Sequence, residues 1–221
     1  MPSNEMFAGS GISGLDEILG GGLPRSHLHL VRGPSGAGKT TLSLQFLIEG
    51  ARNGETVLYI GTSESDEEIR RIARSNDWSL DGVTLHHHVS MRFGDRQTML
   101  LPAEVDLPQT VESILRVVDE VNPSRLVIDS LTEIRTLARE RMWYRQQLMM
   151  VKQHFQDRQT TILLLDVADT DQYALNSIVS GVVELEQAAQ AYGPDRRRVR
   201  VLKIRGRDFA SGYHDFRIAK G

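Results

Sequence analysis

Short, nearly unbroken apolar runs alternate along this chain with stretches in which apolar residues return every third or fourth position. Residues 27–31, 56–60, 83–85, 125–129 and 160–165 form the runs. Their length and continuity predict strands of the kind buried in parallel sheets. Between them, Leu44, Leu47 and Ile48, then Ile69, Ile72 and Ala73, then Val111, Ile114, Val118 and Val121 each mark one helix face, and residues 144–155 predict another helix. Ser65 with Glu68 three positions on is a capping box that opens the second of these helices. Near the N-terminus, Ser13 and Asp16 are spaced to cap a short helix carrying Leu15, Ile18 and Leu19, which Gly20, Gly21 and Gly22 end. Strands alternating with helices predict an α/β fold, a mainly parallel twisted sheet flanked by helices on both faces.

The pattern changes towards the C-terminus. Residues 182–186 and 198–205, separated by a turn around Gly193 and Pro194, predict a C-terminal β-hairpin, and residues 213–218 a last strand. Residues 89–107 hold no period, and Gly94, Pro102 and Pro108 interrupt the stretch, so a long loop is expected there. No internal repeat stands out. A chain of 221 residues suits one domain over 1–221 with a continuous core.

Composition adds mainly exclusions. The net charge of −3 gives no overall attraction to nucleic acid or to an acidic membrane. With no cysteine there is neither a disulfide framework nor a thiolate metal site. The first residues lack the pattern of a secretory leader, and no apolar run approaches the roughly 20 residues of a membrane span. A soluble, cytoplasmic protein without a membrane partner is expected.

One stretch carries a specific chemistry. Gly33 to Thr40 satisfies G-x-x-x-x-G-K-[ST], a loop whose backbone N–H groups wrap a phosphate chain when a strand enters it and a helix leaves it. Both flanks are predicted. Ser35, Gly36, Ala37, Gly38, Lys39, Thr40 and Thr41 are the expected binding residues, with Lys39 reaching the β- and γ-phosphates and Thr40 offering its hydroxyl to Mg²⁺. Asp129 ends an apolar strand, where an open parallel sheet presents ligands, and is the expected second metal residue. Glu64 follows the strand ending at Ile60. It either orients and deprotonates an attacking water or is a helix-start acid favoured by the dipole, and spacing leaves both open. Lys203 and Arg205 leave one face of an extended segment, as a phosphate-neutralising pair or as basic decoration of an edge strand. His86, His87 and His88 are consecutive on a strand, so they cannot readily converge on one metal ion.

In sequence order, Gly11 to Asp16 with Gly21 to Pro24, the phosphate loop, Ala73 to Trp78, Leu126 to Ser130, and Arg196 to Gly206 resemble the motifs of the KaiC family, RecA-like P-loop NTPases named for a circadian-clock protein. The likeness spans nearly the whole chain. It implies an ATPase that uses ATP and Mg²⁺, with nucleotide held between subunits of a hexameric homo-oligomeric ring and with a regulatory or signalling role that brings in protein partners. It implies that Glu64 is the catalytic glutamate, and that Lys203 and Arg205, by reaching a neighbour's γ-phosphate, complete a catalytic set that includes the phosphate-loop Lys39. The family often has two adjacent glutamates, whereas Ser65 follows Glu64 here. The clock protein has two such domains, an ATPase and an autokinase. This chain holds one, so a fragment of a longer protein is a possible reading of its end at Gly221. Ser177 falls near the family's phosphorylated pair, with Asn176 before it, which gives weak support to an autokinase.

Two other classes stay open. One is a DNA recombination accessory, for which Arg135, Arg139, Arg141 and Arg145 with Trp143 and Tyr144 would serve. Glu133 and Glu140 interleave these arginines, and no basic glycine-rich loop follows Asp166. The other is a nucleotide-gated scaffold that hydrolyses slowly.

Overall fold

The computed structural model describes residues 6–88, 107–138, 140–167 and 172–219. The loop expected before Leu107 and the arginine at position 139 lie outside the described residues. Ten strands and seven helices are described: β1 (Phe7–Ala8), α1 (Ser13–Ile18), β2 (Leu23–Pro24), β3 (Leu28–Arg32), α2 (Lys39–Arg52), β4 (Val57–Gly61), α3 (Asp66–Ser75), β5 (Val83–His87), α4 (Leu107–Val121), β6 (Arg125–Asp129), α5 (Leu131–Thr136), α6 (Arg141–His154), β7 (Thr161–Asp166), α7 (Gln172–Ile178), β8 (Gly181–Ala188), β9 (Arg196–Ile204) and β10 (His214–Phe216).

Eight strands form one sheet in the order β10-β9-β8-β3-β7-β6-β4-β5. From β8 to β5 neighbours run parallel, and β9 and β10 add antiparallel strands at the other edge. Every residue of β3, β4, β6 and β7 is buried, which is why these strands read as continuous apolar runs. One sheet face packs on α4, α6 and α7 through Ile114, Leu148 and Ile178; the other packs on α1, α2 and α3 through Leu15, Leu47 and Ile69.

Arg125, the first residue of β6, is fully buried in a polar latch at the lower sheet edge. Its Nε donates to Glu55 at 2.8 Å and its Nη1 to the carbonyl oxygens of Gly9 and Phe46. Burial works to raise the Glu55 carboxyl, but hydrogen bonds from Arg125 and Arg25 outweigh it and hold the group at about 2. Gly50 makes room for this arginine, because a Cβ there would stand 2.6 Å from Arg125 Cδ.

The predicted capping box at Ser65 and Glu68 is formed. The cap expected from Ser13 and Asp16 is not: Ile12 occupies the N-cap position without a side-chain bond, and Asp16 Oδ1 instead accepts from Ser10 N at 2.8 Å. Pro108 lies inside the first turn of α4 rather than interrupting the chain, a position where its missing N–H costs nothing. Helix α5 was not anticipated. It has six residues, of which only Leu131 and Ile134 are buried, too few to show a period.

Candidate active site

The carboxyl ends of β3, β4, β6 and β7 meet at one crest of the sheet, and the phosphate loop rises between β3 and α2. Gly33 fits against β8 so closely that a Cβ would lie 2.4 Å from Leu185 O, and a Cβ at Gly36 would come within 3.4 Å of Gln187 Oε1. The loop therefore leans on the C-terminal half of β8. Gly38, the N-cap of α2, has φ 105°, a conformation that glycine adopts freely. Ser35 and Gly36 are exposed, whereas Ala37 is buried under the loop.

Lys39 Nζ donates to the carbonyls of Gly33 at 2.8 Å and Pro34 at 3.0 Å. Burial pulls this ammonium below its ordinary range, and Asp129, Asp166 and Glu64 oppose that shift. Thr40 Oγ1 donates to Asp129 Oδ2 at 2.7 Å, so the two residues expected to share a metal touch directly. The same carboxylate oxygen accepts from the Tyr59 hydroxyl at 2.8 Å. Burial and then Asp129 drive the Tyr59 phenol far above its usual range, so it remains a donor.

Glu64 stands in a loop clipped to the end of β6. Thr62 N donates to Asp129 O at 2.7 Å, Thr62 Oγ1 donates to Ser130 O at 3.0 Å, and Ser130 N donates back to Thr62 Oγ1 at 2.9 Å. Gly61 permits the fold-back, since a Cβ there would meet Glu64 O at 2.9 Å. Glu64 Oε2 is buried and has no hydrogen-bond partner among the described residues. Burial, and next to it the negative charge of Asp129, raises the Glu64 carboxyl above the ordinary range. Asp129 Oδ2 thus takes two hydroxyls while Glu64 Oε2 takes none, so the two carboxylates sit in different surroundings.

A third carboxylate completes the crest. Asp166, at the end of β7, is buried; its main-chain oxygen accepts from Gly33 N at 3.3 Å, and its Oδ1 accepts from Thr132 Oγ1 at 2.9 Å. Beside the start of α2 lies a cavity of about 650 Å³, lined in part by Gly38, Thr41, Leu42, Trp78, Phe216 and Ile218. Its mainly apolar wall next to the phosphate loop has the size and chemistry to take a nucleobase.

Lys203 and Arg205 are not at this crest. Lys203 pairs with Val182, and Val182 with Leu30, three residues before Gly33. At roughly 3.3 Å per residue that is about 10 Å behind the loop, and two strands away. Lys203 Nζ donates to Asn176 O at 2.5 Å and Val179 O at 2.7 Å, and Arg205 Nη2 donates to Ser177 O at 2.7 Å. Both cations sit on the carbonyls that end α7, a favourable place for positive charge.

The family model described as "ATPase: KaiC" matches residues 8–221. The chain belongs to the KaiC ATPase family. It is 26% identical over 219 residues to the circadian clock protein KaiC3 of Synechocystis, covering 95% of this chain and 43% of that protein. It is 28% identical over 134 residues to a UPF0273 protein of Thermotoga maritima, covering 57% of this chain and 55% of that one. This KaiC-family chain thus spans less than half the length of the clock protein it matches. Its fold is similar to the crystal structure of a KaiC-like protein from Pyrococcus horikoshii, with TM-score 0.78, 26% identity, and coverage of 96% of this chain and 94% of that one. No helix among the described residues is long and apolar enough to cross a membrane.

Of the residues singled out in the sequence, Lys39, Thr40, Asp129 and Glu64 come together at this crest; Tyr59, Thr62, Asp166 and the cavity were not among those expected there. Tyr59 and Thr62 lie in or beside an apolar strand and carry no motif. Their roles depend on the register between β4 and β6.

Proposed function

We propose that this chain binds ATP with Mg²⁺ on its phosphate loop and hydrolyses it at an interface between copies of itself, arranged as a hexameric ring whose shape and protein contacts the cycle regulates. The observation that carries this reading is the meeting of Lys39, Thr40, Asp129 and Glu64, whose buried Oε2 has no hydrogen-bond partner among the described residues, drawn from separate segments at one crest of the sheet. Hard oxygen donors suit Mg²⁺, and the touching Thr40 hydroxyl and Asp129 carboxylate fit that ion. When bound, Mg²⁺ neutralises charge on the β- and γ-phosphates.

The chain's own groups do the rest. Lys39 exchanges the carbonyls of Gly33 and Pro34 for phosphate oxygens. Glu64 takes a proton from water as the water oxygen bonds to the γ-phosphorus and the bond from that phosphorus to the bridging oxygen breaks, releasing ADP and phosphate. The base occupies the cavity beside Thr41. Lys203 and Arg205, set behind their own loop, neutralise the γ-phosphate of the next protomer.

Phosphate release and light scattering test this together. Wild type should turn over ATP and show a hexamer mass with ATP and Mg²⁺. Glu64→Gln should lower kcat by about 10² or more while leaving ATP affinity intact. Wild-type turnover in Glu64→Gln, or no binding at millimolar ATP with Mg²⁺, overturns the reading.

A further inference from the structure

Tyr59 is the third residue of β4 and is buried to 1% exposure. It belongs to the buried apolar cluster that also holds Val57, Val127, Leu163 and Leu47. A hydroxyl in such surroundings is unfavourable unless it finds an acceptor. The acceptor it finds is Asp129 Oδ2, at 2.8 Å. That oxygen also accepts from Thr40, so one carboxylate oxygen takes two hydroxyls and neither hydroxyl touches Oδ1.

Register makes this bond specific. Tyr59 is paired with Val127, while Asp129 is paired with Gly61. The phenol therefore reaches diagonally, two residues up the sheet, to the strand end. Gly61 leaves the route open: a Cβ there would stand 3.3 Å from Tyr59 Cε1. Of the two donors on Oδ2, Thr40 lies in the partly exposed first turn of α2, next to the phosphate loop, whereas Tyr59 is anchored in the core.

We propose that Tyr59 is a positioning residue for the metal: its hydroxyl fixes the orientation of the Asp129 carboxylate, so that Mg²⁺ meets a preset ligand when nucleotide arrives. The inference rests on the proposed nucleotide site and adds to it a residue that neither touches phosphate nor belongs to a motif. Groups that orient a metal's ligands through hydrogen bonds commonly contribute ten-fold or more to metal affinity.

The test is Tyr59→Phe, which keeps the ring and removes only the hydroxyl. Binding of a fluorescent ATP analogue is titrated in chelator and then with rising Mg²⁺, and Mn²⁺ occupancy is read by electron paramagnetic resonance. Expected is an unchanged metal-free affinity for the analogue and about a ten-fold higher Mg²⁺ midpoint, with Mn²⁺ weakened alike. Val127→Ala serves as the packing control. It should lower Tm without moving the Mg²⁺ midpoint. A midpoint for Tyr59→Phe within two-fold of wild type, or below it, overturns the role of Tyr59 while leaving the nucleotide site standing. A metal-free affinity that falls as far as the metal-bound one reduces the hydroxyl to a structural part and also overturns it. Wild type that binds the analogue in neither condition overturns both this inference and the site beneath it.

Discussion

His29 shows how far a single side chain can be forced from its solution behaviour. It is fully buried in β3, its Nε2 lies 2.8 Å from Pro24 O, and burial lowers its pKa to about 4. The imidazole is therefore neutral in the fold, while the unfolded chain takes up a proton below about 6.5. Since the unfolded state binds more protons across that window, stability is fully present above pH 6.5 and is lost as pH falls towards 4, by up to about 3 kcal/mol. Thermal melts from pH 7.5 to 4.5 should show this fall, and His29→Phe should flatten it. An equal slope in the variant would assign the effect elsewhere. At this scale the sequence was only partly informative. Lys39 and Thr40 could be singled out because their motif is local, whereas two other partners of Asp129 could not, because Tyr59 and Thr62 reach it only through strand register.

Elements were legible in proportion to how fully they are buried. The strands β3, β4, β6 and β7 have no exposed position, and their boundaries fall within about a residue of the apolar runs. Helix α5 and the N-cap of α1 were missed or misassigned because short elements take their stability from neighbours rather than from their own pattern. The latch at Arg125 was hidden for the same reason: an arginine at the head of an apolar run reads as a strand boundary, yet its side chain joins β6 to α2 and to Glu55. Breaking it should be costly. Arg125→Ala leaves Glu55 half-paired and the carbonyls of Gly9 and Phe46 without this donor, so a loss of roughly 3–5 kcal/mol is expected in urea unfolding. A loss below about 1 kcal/mol would show that water replaces the arginine there.

For the whole molecule, the decisive prediction concerns what one chain lacks. Its phosphate loop has a lysine and three nearby carboxylates, but Lys203 and Arg205 point to the end of α7. If they act on a neighbour, Arg205→Ala and Glu64→Gln rings should each be slow, and mixing them should rebuild some sites that carry both an intact glutamate and an intact arginine. Activity of the mixture well above either parent is expected in a phosphate-release assay. Additive, unrescued rates would mean that Lys203 and Arg205 are structural ends of α7.

The pair β8 and β9 has a consequence beyond placing those cations. Near its C-terminal end β8 presses on one phosphate loop through Leu185 and Gln187, and the far end of β9 carries Lys203 with Arg205 just past it. One continuous hydrogen-bonded ribbon therefore abuts two separate places, the phosphate loop and the end of α7, so a substitution that loosens the pairing of β8 with β9 disturbs both at once.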